Sequence, residues 1–343
     1  MSKQKNYYHG LDILRFFAAF GVMNFHYFFT VTDKLSWYRY GNLGVQLFFI
    51  ISGFVISQSI AHKNITDFAK GRLIRLFPLF WILCSLTYIF TLIMPNGLPV
   101  SFAEYLISMT MLGDKLSSML GYGGLVDPSY WSLAVELIFY CAIGLFVYFF
   151  SWKNIRYFLW GWLLLSAVSF LLHIDQNFLM KMLLVRHASY FILGGAIALY
   201  IDSKYTTKLK KIGDISLIVV SLIYSTCISY IALPPYFMPN MYDADIIAIA
   251  HPILFFLVII SIYLSKKLSK LSIGAICTII GGITYPLYLI HQTLGNTLIR
   301  FFVEVYGYSK IPITLSIEVI MIGLAYLAYE YDKELRAWLT KRL

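Results

Sequence analysis

GLDILRFFAAFGVMNFHYF, residues 10–28, is apolar over a length that crosses a bilayer, yet it carries Asp12, Arg15 and His26. Ionisable groups inside a span cost about 2.5–3.5 kcal/mol each on insertion scales, so each is a functional candidate by default. Arg15 and His26 are 11 residues apart. At 100° per residue they fall about 20° from three full turns, so they share a helical face and lie about 16 Å apart along the axis. Asp12 sits one turn before Arg15, where it can pair with it. The competing reading makes Asp12 and Arg15 interfacial anchors and His26 a packed polar residue.

The rest of the chain has the same character. Of its 343 residues, 59% are hydrophobic and 13% charged, with 18% aromatic. The mean hydropathy is +0.73. A soluble domain is about 45–50% apolar and about 25% charged, so a soluble enzyme of this length is excluded. Disorder, which needs low hydrophobicity and high charge, is excluded too. Apolar runs fall near 10–31, 41–61, 76–94, 129–150, 157–172, 183–201, 213–232, 246–264, 276–302 and 311–330. Runs of about 20 residues suit helices rather than barrel strands, which need about 10. The expectation is an all-α polytopic membrane protein of ten spans, in a single transmembrane domain over 1–343 with no appended soluble domain. Segment 102–113 is too short to span and is expected to be re-entrant or interfacial. It lies in the longest loop, 95–128, a candidate lid or substrate-facing segment.

The net charge is +10. The basic residues cluster between apolar runs, which reads as topology rather than nucleic-acid binding. Ten spans place 19 Lys and Arg residues on the face that holds both termini, 5 on the other and 3 within spans. Basic loops stay inside, so both termini are expected in the cytoplasm. The first apolar run is long enough to span and is not followed by a small-residue cleavage pattern, so no signal peptide is expected. The four cysteines, Cys84, Cys141, Cys227 and Cys277, are far apart inside apolar runs. They show neither metal-ligand spacing nor a disulfide framework. No metal and no permanently bound cofactor are expected.

Three further clusters stand out. In RLIRLFPLFW (72–81), Arg72 and Arg75 are three apart and neighbours on one helical face at the expected membrane surface. Paired guanidinium forks suit a phosphate-bearing ligand; the alternative is a simple positive-inside anchor. In SYWSLAVELIFY (129–140), Ser132, Glu136 and Tyr140 are spaced by four. A buried carboxylate needs a partner or a proton. The options for Glu136 are His26 across a helix interface or an intramembrane arginine such as Arg186. In ITYPLYLIHQ (283–292), Pro286 interrupts the helical ladder while Tyr288 and His291 share a face that can line a cavity. His251 and His187, near span ends, are given no chemistry.

Taken in order, GLDILRFFAAFGVMNFH (10–26), GNLGVQLFFIISGFVI (41–56), RLIRLFPLFW (72–81), YWSLAVELIFY (130–140) and ITYPLYLIH (283–291) resemble the acyltransferase-3 family of integral membrane acyltransferases. The resemblance is to the bacterial enzymes that O-acetylate surface polysaccharides. It implies transfer of an acyl group, usually acetyl from acetyl-CoA, to a hydroxyl of a cell-surface or lipid-linked glycan. It also implies a multi-pass protein of the bacterial inner membrane. The family's first-span histidine and arginine correspond to His26 and Arg15, and its paired arginines, implicated in acyl-CoA handling, to Arg72 and Arg75. His9 stands where the family often has arginine and Phe16 where it often has glycine. The tail YEYDKEL (329–335) lacks the acidic-x-Pro often found there.

The expected partners are therefore acyl-CoA, a glycan acceptor and membrane lipids, without nucleic acid. In this reading His26 is the general base on the acceptor hydroxyl or takes the acyl group itself. Glu136 orients or recharges His26 or binds the sugar. Tyr140, Tyr288 and His291 are candidate substrate contacts. The rival class is a secondary transporter or flippase, which shares many spans and intramembrane charge; against it, the chain lacks the internal repeat many transporters show.

Overall fold

The computed structural model describes residues 7–28, 36–95, 97, 99–202, 207–231, 244–271 and 273–342. Lys3, Lys5, Lys34 and Lys204, counted in the charge asymmetry, lie outside them, as do the ends of the first and seventh expected spans. Within the described residues the chain is helical, with no strand. The helices are α1 (His9–Phe28), α2 (Gly44–Ile60), α3 (Ile65–Ile93), α4 (Phe102–Ser108), α5 (Gly113–Leu120), α6 (Trp131–Phe150) and α7 (Ile155–Leu171). They continue as α8 (Phe178–Met182), α9 (Ala188–Ile201), α10 (Lys208–Ile231), α11 (Ala244–Leu268), α12 (Gly274–Arg300) and α13 (Lys310–Arg342).

Eight helical segments among the described residues are long and apolar enough to cross a membrane. They correspond to the second, third, fourth, fifth and seventh to tenth expected spans, and the protein is a multi-pass membrane protein. The first expected span forms α1, 20 residues carrying Asp12 and Arg15. The sixth is shorter than the sequence suggests. Residues 183–187 form turns, with Leu184 at φ 55°, and only 14 residues of helix follow. That is about 21 Å, short of a hydrocarbon core of about 30 Å. The reason lies in packing: every residue from Ala188 to Leu199 is buried. A helix that is apolar all round is enclosed by protein.

Boundaries shift elsewhere. The third span begins at Ile65 rather than 76, so Arg72 and Arg75 lie within continuous helix. The last runs on to Arg342 rather than stopping at 330. Segment 102–113 is helix α4, a break, and the start of α5. Helix α3 contains Pro78, α11 Pro252 and α12 Pro286; membrane helices tolerate proline where neighbouring groups satisfy the freed backbone.

The chain divides into two compact units. The first comprises 1–44, 70–134 and 261–343; the second comprises 45–69 and 135–260. In the first, α1 packs on α12 and α12 on α13. Gly10 lies so close to the Ser261 carbonyl of α11 that a Cβ has no room, and its N–H donates to Ser265 Oγ at 2.9 Å. In the second, an aromatic stack forms the centre. Phe191 lies 4.2 Å from Phe139 and 4.8 Å from Phe49, centroid to centroid, and Trp162 is 6.0 Å from Phe139. Asp214 is fully buried and held bidentately by Arg156 at 2.7 and 2.9 Å. Of the cysteines, Cys84 and Cys277 are buried while Cys141 and Cys227 are exposed, all four as free thiols.

Candidate active site

The site is built on the α1–α12 contact of the first unit. His26, near the end of α1, is partly accessible and lies 5.2 Å, ring to ring, from His291 of α12. His291 is buried, with its Nδ1 2.9 Å from the Tyr288 carbonyl. A carbonyl only accepts, so Nδ1 carries the proton and Nε2 presents a lone pair. That lone pair has no hydrogen-bond partner. Tyr288 is 5.4 Å from the same ring, and its hydroxyl is 2.6 Å from Ser132 Oγ. The face expected for Tyr288 and His291 is therefore real, and it meets His26.

This stretch of α12 is gripped through its own backbone. Tyr27 donates its hydroxyl to the His291 carbonyl at 2.7 Å, and Tyr130 to the Leu289 carbonyl at 3.1 Å. Thr293 N–H donates to Asp127 Oδ2 at 2.8 Å. Leu289 C=O and Thr293 N–H are an i, i+4 pair of the continuous helix, and each also has a partner from another element. Gly295 is required by the same packing, because a Cβ there would run into the Tyr27 hydroxyl.

Asp127 is the residue that sequence reasoning missed. It is fully buried and accepts from Ser129 N at 2.9 Å and Ser129 Oγ at 2.6 Å, besides Thr293 N. Its charge acts on His291. It also caps the turn that begins at Pro128. A second omission is Glu318 of α13, buried in a span with Oε1 lacking a hydrogen-bond partner.

At the other end of α1, Asp12 interacts with Arg15 as the spacing predicts, and also with Tyr7, His9 and Arg75. Arg75 further acts on Asp332 of α13, which Arg336 pairs in the next turn. Arg75 of α3 thus stands at an ionic cluster, and Arg72, three residues earlier on the same helix, is half-buried. Tyr285 reaches the same helix and donates to the Leu76 carbonyl at 2.8 Å.

Glu136 and Tyr140 belong to the second unit. There Glu136 Oε1 accepts from both Ser52 Oγ and the Tyr140 hydroxyl. Arg186, considered as a partner for Glu136, is instead paired with Asp175 at 3.2 Å. The turn at 183–187 accounts for this, since it carries Arg186 out of the helix. His251, to which the sequence assigned no chemistry, is buried with Nδ1 on the Ile247 carbonyl at 2.8 Å and Nε2 2.9 Å from the Tyr190 hydroxyl.

Parts of the chain are similar to curated proteins. OatA, an O-acetyltransferase of Staphylococcus aureus (strain NCTC 8325 / PS 47), is 30% identical over 157 residues, covering 42% of this chain and 25% of its own length. YrhL of Bacillus subtilis (strain 168), named a putative peptidoglycan O-acetyltransferase, is 28% identical over 164 residues, 43% of this chain and 24% of its length. Nodulation protein 10 of Rhizobium leguminosarum bv. viciae is 30% identical over 155 residues, 38% of this chain and 42% of its length. The matches thus span about a quarter of the first two relatives and under half of the third. No solved structure matches significantly. A model of the acyltransferase domain matches residues 8–330, nearly the whole chain, and the protein belongs to the acyltransferase-3 family.

Proposed function

We propose that the protein is a membrane O-acyltransferase that moves an acetyl group from acetyl-CoA to a hydroxyl of a cell-surface or lipid-linked glycan. The observation that carries this is the family match over 8–330 together with the partly accessible His26 beside a buried His291. In this reading the protein sits in the bacterial inner membrane with both termini in the cytoplasm. Arg72 and Arg75 hold the CoA phosphates, and Arg15 lines the way toward His26. His26 takes the proton from the acceptor hydroxyl as the oxygen attacks the thioester carbonyl. The C–S bond breaks, the new C–O ester bond forms, and the proton passes to the departing thiolate. A variant of the same chemistry places the acyl group on the His26 imidazole first, followed by attack of the acceptor. Asp127 and Tyr288 are positioning residues for His291.

The test is transfer by purified, folded protein given acetyl-CoA and lipid-linked glycan. His26→Ala should lose roughly 100-fold or more in turnover while acetyl-CoA affinity is unchanged. Near-wild-type turnover in that variant would remove His26 from the chemistry. Absence of both CoA release and acetylated glycan with the wild-type protein would remove the acyltransferase reading.

A further inference from the structure

Helices α12 and α13 run antiparallel, and Gly282 of α12 packs against the Tyr329 ring of α13. From that contact, eleven residues along α12 lead to Thr293 and eleven back along α13 lead to Glu318. Both steps are about 16 Å, so the two residues stand at one level. Thr297 and Thr314 are level with each other one turn further on. Tyr27 ties this level to the active site: its hydroxyl donates to the His291 carbonyl, and it interacts with both Glu318 and Asp127.

Three buried oxygens here have no hydrogen-bond partner: Glu318 Oε1, Thr314 Oγ1 and Thr297 Oγ1. Glu318 is 6% exposed and both threonines are fully buried. The contrast with the same two helices is informative. Thr278, Thr284 and Ser316 each donate to the carbonyl four residues earlier, and Thr293 donates to the Val126 carbonyl. Only where Glu318 lies are the hydroxyls left without such bonds. His291 Nε2, on the same stretch of α12, is likewise unmet. An unmet buried acceptor is costly, and an intramembrane carboxylate more so. A carboxylate, two hydroxyls and an imidazole lone pair are the groups that a molecule with several adjacent hydroxyls satisfies, since each of its O–H groups both donates and accepts.

We propose that Glu318, Thr314 and Thr297 form the subsite that holds a polyhydroxylated acceptor next to His26 and His291. Glu318 accepts from a hydroxyl neighbouring the one that reacts, and the threonines fix the ring beside it. The subsite rests on the acyltransferase reading above and adds where its acceptor binds.

The experiment uses the full-length protein reconstituted in lipid, acetyl-CoA as donor, and the saccharide fraction extracted from envelopes of the source cells as acceptor at graded concentration. Glu318→Gln keeps size and removes the charge. It should raise the acceptor KM about tenfold or more. Acetyl-CoA affinity should stay within twofold. Glu318→Asp should recover part of the loss. Thr297→Val with Thr314→Val should raise the same KM, and it supplies the reading if the Gln variant does not fold. An unchanged acceptor KM in folded variants overturns the subsite. So does a fall in kcat and donor affinity with KM constant, which would make Glu318 a structural residue. Wild-type protein that binds acetyl-CoA but transfers nothing to this fraction would overturn the acyltransferase reading, and the subsite with it.

Discussion

Replacing Asp127 with asparagine changes one oxygen to an NH2 group at a site where all three neighbours donate. Oδ1 accepts from Ser129 N and Oγ, and Oδ2 from Thr293 N. Either orientation of the amide sets a donor against a buried backbone N–H. An orphaned buried donor costs about 1–3 kcal/mol, and losing the charge on the remaining bonds adds to it. Thr293 N–H lies inside the continuous helix α12, whose own backbone ladder limits the loss there, so about 2 kcal/mol is the working figure. At about 2.1 cal/mol/K per residue, the unfolding entropy of a chain this size makes that a fall of about 3 °C in Tm. The assay is thermal unfolding in lipid nanodiscs, with Ser129→Ala and the double variant completing a cycle. The two single changes share one bond, so their effects should fall short of additivity by about 1 kcal/mol or more. Transfer should fall as well, because the same carboxylate faces His291. A Tm within one degree of wild type, or strict additivity with Ser129→Ala, would refute the assignment of Asp127 as the clamp on α12.

Gly295→Ala should be among the most damaging small changes in α12, because the added methyl meets the Tyr27 hydroxyl and ring edge; Tyr27→Ala removes that ring, so the two changes together should cost less than the sum of their separate effects in the same unfolding assay. Arg72→Lys with Arg75→Lys keeps charge but loses the bidentate fork, so acetyl-CoA affinity by calorimetry should weaken about tenfold or more while His26-dependent steps at saturating donor are preserved. Unchanged affinity returns both arginines to a membrane anchor. Glu104 lies between the spans, and its carboxyl is held below the ordinary 4.5 by the backbone N–H and hydroxyl of Ser101. A depressed carboxyl stabilises the folded state above its ordinary value and ceases to as pH falls through the folded one. Amide exchange at the start of α4 should therefore gain an extra acceleration, beyond its intrinsic pH dependence, below about pH 4.5, and Glu104→Gln should abolish that step.

How much of this was legible follows from which signals are periodic. His26 and Arg15 could be placed on one face because an α-helix fixes their angle, and Tyr288 with His291 for the same reason. That His26 and His291 meet is tertiary, and the sequence spacing of 265 residues carries no trace of it. Asp127 was hidden because its partner Thr293 is 166 residues away, a pairing that no local spacing carries. Glu318 had a readable signal that was passed over. Thr314, Glu318, Met321, Ala325, Tyr329 and Asp332 form a stripe at intervals of three and four, all of them buried. A carboxylate on that stripe is aimed into protein and not toward lipid. Helix α9 is shorter than its apolar run because such a run reports that water is excluded, and does not show where regular helix begins.

Helix α13 has a mechanical property that its length confers. Its 33 residues extend about 50 Å, well beyond a hydrocarbon core of about 30 Å. Glu318 and Arg342 are separated by 24 residues, about 36 Å of unbroken helix. Such a rod is a lever with nearly equal arms. A tilt of about 5° about the midpoint of that ~36 Å stretch carries Glu318 sideways by about 1.5 Å, on a scale where a misplacement of about 1 Å costs a hundredfold in rate. Whatever takes hold of the ionic end of this rod, where Asp332 binds Arg336 and Arg342 lies over the Trp338 ring, has a direct purchase on the level where the histidines meet.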